Sequence, residues 1–101
     1  MDTKKIKVAS FQFSPCSDIR ENMEAVKRGI ILAAKDNVRL LLTQECALCG
    51  YPPIEIDSVK SINQNELRNA IDEIAKLSQN MKYMLLSVQL HLKMKVHIIQ
   101  L

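Results

Sequence analysis

Leu40-Leu-Leu-Thr-Gln-Glu-Cys-Ala-Leu-Cys-Gly-Tyr-Pro-Pro53 is a nearly continuous apolar run that passes through a polar pair into a stretch of turn residues. An apolar run of strand length, here Val38 to Thr43, reads as a central strand covered on both faces, as in α/β proteins. Gly50 and the two prolines then force the backbone out of the sheet, so residues 45 to 53 are predicted to be a loop. Glu45 is thereby placed at the carboxyl end of a sheet strand, where open α/β sheets build their sites. A carboxylate in that position, beside the apolar Leu40 to Leu42, is suited to accept a proton.

Working outward from this stretch, residues 5 to 13 are rich in β-branched and aromatic side chains and read as a first strand. Asp18 with Glu21 three residues later forms a capping-box pattern. Ile19, Met23, Val26, Ile30 and Ala33 follow at helical spacing and predict an amphipathic helix ending near Asn37. Asn63 and Glu66 mark a second helix start, and Leu67, Ile71, Ile74, Leu77 or Ser78, and Met81 keep the same period. From Tyr83 the period changes to two, which predicts a third strand with Met84, Leu86, Val88, Leu90 and Leu92 on one face. Val96 to Leu101 reads as a fourth. The hairpin between these last two is odd, because Lys93-Met94-Lys95 offers no Gly, Asn, Asp or Pro for a turn. The order β-α-β-α-β-β predicts a layered α/β domain with crossover connections between its first three strands.

The chain's 101 residues supply one small domain and exclude two. Hydrophobic residues make up 48% and charged residues 25%, a globular balance far from that of disordered chains. The formal charge, 14 − 11 = +3, is too mild for a protein that grips phosphate backbones, so nucleic acid is not expected as a partner. No apolar run is long enough to span a bilayer, and Met1 to Lys5 lacks the features of a secretory signal. The expectation is a cytoplasmic protein with no membrane partner.

Cys46 and Cys49 form a lone C-x-x-C. Zinc would need two more ligands, and Cys16, His91 and His97 show no spacing that supplies them; a redox pair would want the first Cys at a helix N-terminus. The residues favour small apolar filler, with no metal and no cofactor. His91 and His97 are assigned no function.

The segment from Leu40 to Pro53 resembles the nitrilase, or carbon-nitrogen hydrolase, superfamily. There a hydrophobic strand leads into a Pro-Glu pair and a loop ending in Gly-Tyr-Pro, matched here by Glu45, Gly50, Tyr51 and Pro52. Gln12, Asp18 and Asn22 are similar to the family's opening, in which an Asp and an Asn four apart start the first helix. The Gly-Tyr-Pro-Pro form is also similar to the glutaminase domain of NAD synthetases. The resemblance covers about residues 5 to 92, and Gln44 departs from it, since the family usually has Pro there.

This resemblance implies an αββα sandwich, here its N-terminal portion, and hydrolysis or acyl transfer at a non-peptide C–N bond by a Glu-Lys-Cys triad. The substrate would be a small amide or nitrile. It implies that Glu45 is the general base and that Tyr51 belongs to the substrate pocket. Cys16, Cys46 and Cys49 do not occupy the nucleophile's position. Residues 1–101 are therefore expected to be a partial domain, truncated before the Lys and the Cys and inactive alone. The row from Met84 to Leu92 would face a second sheet that this chain lacks, which predicts a homo-oligomer. The alternative is a non-catalytic α/β interaction module that oligomerises or binds a partner.

Overall fold

The computed structural model describes residues 6–81, 85–91 and 94–98, with side chains through residue 81 apart from Val59. Its elements run β1 (Val8–Phe11), α1 (Ile19–Lys35), β2 (Leu40–Glu45), a short 3-10 turn (Val59–Ser61), α2 (Gln64–Asn80), β3 (Leu85–His91) and β4 (Met94–Ile98). This is the predicted order, with β1 confined to the middle of the expected 5–13 stretch. The strands form one sheet in the order β1-β2-β3-β4. The first three are parallel and β4 is antiparallel to β3, with His91 opposite Met94. The fourth strand exists despite its lack of turn residues; it begins at Met94 rather than Val96 and is described as Met94–Ile98, and residues 99–101 of the expected stretch lie outside the described residues.

Local chemistry sets the helix ends. The Asp18 carboxylate accepts from the backbone N–H groups of Arg20 and Glu21, at 2.9 and 3.4 Å, and caps α1. Asn37 closes the same helix in the left-handed conformation (φ 58°), which Asn tolerates better than most residues. The Val38 N–H reaches back to the Ala33 carbonyl at 3.0 Å, completing the C-terminal turn. Asn63 caps α2 through a 3.0 Å bond from the Glu66 N–H. The predicted stripe of α1 (Ile19, Met23, Val26, Ile30, Ala33) is buried throughout. α2 buries Leu67, Ala70, Ile74 and Ser78, with Ile71, Leu77 and Met81 packed at the edge of the core.

Both helices join one core with Leu41 and the loop residues Cys46 to Cys49. Burial of four side chains such as Ile19, Met23, Val26 and Ile30 contributes about 1.5–3 kcal/mol each. Gly29 lets α1 approach β1 closely, since a Cβ there would lie 2.5 Å from the Phe11 ring. The Lys27 ammonium bridges the two helices, 2.8 Å from Glu73 and 3.6 Å from Glu24.

The apolar run of β2 is covered on one face only. Leu41 is 1% exposed under the helices, whereas Leu42 is 38% exposed and Val8, which pairs with Leu40 on the same face, 51%. The expectation of cover on both faces therefore fails: both helices serve the Leu41 side, and no described residue covers the Leu42 side. The register sets Leu85, Leu86 and Ser87 beside Leu40, Leu41 and Leu42. The predicted apolar row Met84, Leu86, Val88, Leu90 and Leu92 lies outside the residues whose side chains are described.

Candidate functional site

Glu45 is the last residue of β2 and half-buried, at the carboxyl edge of the parallel strands. The backbone leaves the sheet directly after it. Cys46 takes a left-handed conformation (φ 59°), and the Gly50 N–H closes the turn onto the Cys46 carbonyl at 2.9 Å. Gly50 is itself left-handed (φ 87°), and a Cβ on it would meet the Glu55 Cβ at 2.8 Å and the Cys16 carbonyl at 3.0 Å. Conformation and crowding both require glycine at this position.

The loop is held from two sides. Asn22, 2% exposed near the start of α1, donates from Nδ2 to the Cys16 carbonyl at 2.8 Å and to the Leu48 carbonyl at 2.9 Å. Its Oδ1 accepts from the Cys16 N–H at 2.9 Å, so one buried amide joins the segment after β1, the first turn of α1 and the loop after Glu45. On the far side the Glu55 carboxylate accepts from the Tyr51 N–H at 2.6 Å, while the Ile54 and Glu55 N–H groups return to the Tyr51 carbonyl at 2.8 and 3.0 Å. The Pro52-Pro53 bond is cis within this bracket. Tyr51, 37% exposed, is presented at the surface.

Gln44 spans the neighbouring strand end. Its Nε2 donates to the Phe13 carbonyl at 2.7 Å, and its Oε1 is buried without a hydrogen-bond partner among the described residues. Phe13 is held in turn by packing on Phe11, with ring centroids 5.8 Å apart.

Cys46 and Cys49 are thiols outside any disulfide, 1% and 2% exposed within the core. Burial, with the neighbouring Cys49 and then the negative charges of Glu45 and Glu55, pushes the Cys46 thiol up to about 12. Burial likewise raises Cys49. A thiol that holds its proton so tightly is a poor nucleophile and a poor metal ligand near neutral pH. No group of three His, Cys, Asp or Glu residues that could hold a metal ion stands together among the described residues. Also among them, no helix is long and apolar enough to cross a membrane.

The structure sets the candidate base Glu45 and the candidate pocket residue Tyr51 at the two ends of one pinned loop. The sequence reading missed Glu55, although an acid four residues after Tyr51 in a turn-rich loop is the spacing of a local bracket. It also saw Asn22 only as part of a resemblance, because nothing in the sequence discloses that its amide reaches across 26 residues to Leu48.

No protein-family model matches the chain, and no curated protein matches its sequence. Among solved structures it is similar to the NitN amidase from Neterenkonia sp. AN1, with a TM-score of 0.70 and 19% identity over 83% of this chain and 32% of that one. It is also similar to the glutamine-dependent NAD+ synthetase from Acinetobacter baumannii, with a TM-score of 0.63 and 22% identity over 85% of this chain and 16% of that one. The chain thus spans about a third of the amidase and about a sixth of the synthetase. At these identities the likeness speaks for the fold: two helices over one face of a sheet whose first three strands are parallel, matching a fragment of a nitrilase-like αββα sandwich.

Proposed function

We propose that the chain is the N-terminal part of a carbon-nitrogen hydrolase that acts on small amides or nitriles, with Glu45 as general base. In that chemistry the base takes the proton of a cysteine thiol, the sulfur attacks the carbonyl or nitrile carbon, and a lysine stabilises the anionic intermediate. Tyr51 contributes to the substrate pocket on this reading. Residues 1–101 are then a partial domain that stops before the Lys and the Cys, and they do not turn over alone, because a triad acts as a unit. The observation that carries the reading is the position of Glu45: a carboxylate at the end of β2, on a loop pinned by Asn22 and Glu55, in a fold shared with an amidase. The test is to translate the DNA that follows the Leu101 codon in all forward frames. The reading expects a strand-borne Lys and then a Cys at a strand-to-helix elbow; the absence of both would overturn it.

A second reading, that of a non-catalytic interaction module, is favoured by one observation, the exposed Val8 and Leu42 on the uncovered sheet face. Both readings share the proposal that this face pairs with a second copy or a partner.

A further inference from the structure

Just before Glu45 the sheet support of β2 is interrupted, and pairing with β3 resumes only at Glu45 itself, opposite Gln89. The ladder between β1 and β2 ends at the pair Phe11 and Thr43. Between β2 and β3 the register is irregular from Leu42 to Glu45. Gln44 therefore stands where neither neighbouring strand holds the backbone in regular pairing. Its side chain makes the link instead, through the 2.7 Å bond from Nε2 to the Phe13 carbonyl, beyond the last regular pair of β1. Only the amide nitrogen can donate to that carbonyl, so the bond fixes the orientation of the amide and turns Oε1 inward. There Oε1 is buried with no partner among the described residues. An orphaned buried acceptor opposes folding, so simple packing would be served better by an apolar side chain of the same size.

From these observations we infer that Gln44 is a positioning residue for Glu45, holding the carboxyl end of β2 to the segment after β1 so that the carboxylate has one orientation. The inference rests on Glu45 being the working group of the site. The backbone at Cys46 turns left-handed directly after Glu45, and Glu45 pairs with Gln89 on the β3 side, so the Gln44 bond adds the constraint on the β1 side. A proline constrains a backbone by fixing φ; Gln44 does so by a side-chain bond.

The test uses the 101-residue chain and reads two signals by NMR. One is the amide-exchange protection of residues 45–47 relative to that of α1 in the same sample. The other is the carboxyl-carbon resonance of Glu45. Gln44→Leu keeps the bulk and removes the bond. It is expected to lower the protection of 45–47 relative to α1 roughly 3- to 10-fold, the loss of one hydrogen bond, and to move the Glu45 resonance. Because the orphaned acceptor also disappears, α1 itself should not lose protection. Should Gln44→Leu not fold, Gln44→Ser, too short to reach Phe13, is read in the same way. An unchanged ratio with an unmoved Glu45 resonance would overturn the inference, as would an equal loss at α1 and at 45–47. None of these signals requires turnover, so an inactive chain bears on the hydrolase reading and not on this one.

Discussion

The side-chain amide of Asn22 donates to the Leu48 carbonyl at 2.9 Å, and that bond fastens the first helix to the loop that follows Glu45. The same amide holds the Cys16 carbonyl and N–H. Replacing it leaves two carbonyls and one N–H without this partner, the Leu48 carbonyl at a buried position and the Cys16 groups at a partly buried one.

Asn22→Leu, which fills the space but bonds nothing, is therefore expected to destabilise the chain by about 2 to 4 kcal/mol. Urea unfolding followed by circular dichroism measures this through the midpoint. A loss under about 0.5 kcal/mol, the size of an ordinary surface substitution, would show that the loop is held by packing alone.

Gly29→Ala is expected to destabilise by about 1 to 3 kcal/mol, because the new methyl group falls within 2.5 Å of the Phe11 ring. In a Phe11→Leu background the same change should cost less. Thermal melts of the two single variants and the double variant provide the comparison, and strict additivity would contradict a direct clash.

The Cys46 thiol, raised from an ordinary 9.0 to about 12, gives stability a defined pH dependence. The folded chain holds this proton more tightly than the unfolded chain. The contribution is therefore complete below about 9 and is lost as the pH climbs towards 12. Relative to an ordinary thiol, Cys46 has on the order of 1000-fold less thiolate near neutral pH. Alkylation at pH 8 in native buffer, followed by mass spectrometry, should label Cys16 and spare Cys46 and Cys49 until denaturant is added. Rapid native labelling of Cys46 would contradict the burial.

Most of this fold could be read from sequence because its elements carry separable periods. The stripe from Ile19 to Ala33 and the run from Leu40 to Thr43 fix a helix and a strand with little help from tertiary structure. The one-sided cover of β2 could not be read, because an apolar side chain such as Leu42 looks the same whether or not another layer lies over it. At the site, Glu45 was marked by its place between strand and loop. Its supports Asn22, Gln44 and Glu55 act through bonds between distant or unpatterned residues, which no period records.

The uncovered face leads to a prediction about association. Val8, which pairs with Leu40, and Leu42, two residues further along β2, are exposed on the same face of the sheet, and the chain is expected to form a homodimer or larger assembly through that face. Light scattering after size-exclusion chromatography at micromolar concentration should report more than one copy, with Leu42→Lys shifting the population to monomer. A folded monomer in the parent chain, or an assembly indifferent to Leu42→Lys, would place the contact elsewhere.

The central claim is that Glu45 is the general base of a carbon-nitrogen hydrolase. Its most direct test is the rate of amide and nitrile hydrolysis by the protein in which the DNA beyond Leu101 supplies the Lys and the Cys, compared with its Glu45→Gln variant. The account predicts turnover in the parent, a fall of at least about 100-fold in kcat with Glu45→Gln, and no turnover by the 101-residue chain alone. Turnover that survives Glu45→Gln undiminished would contradict it.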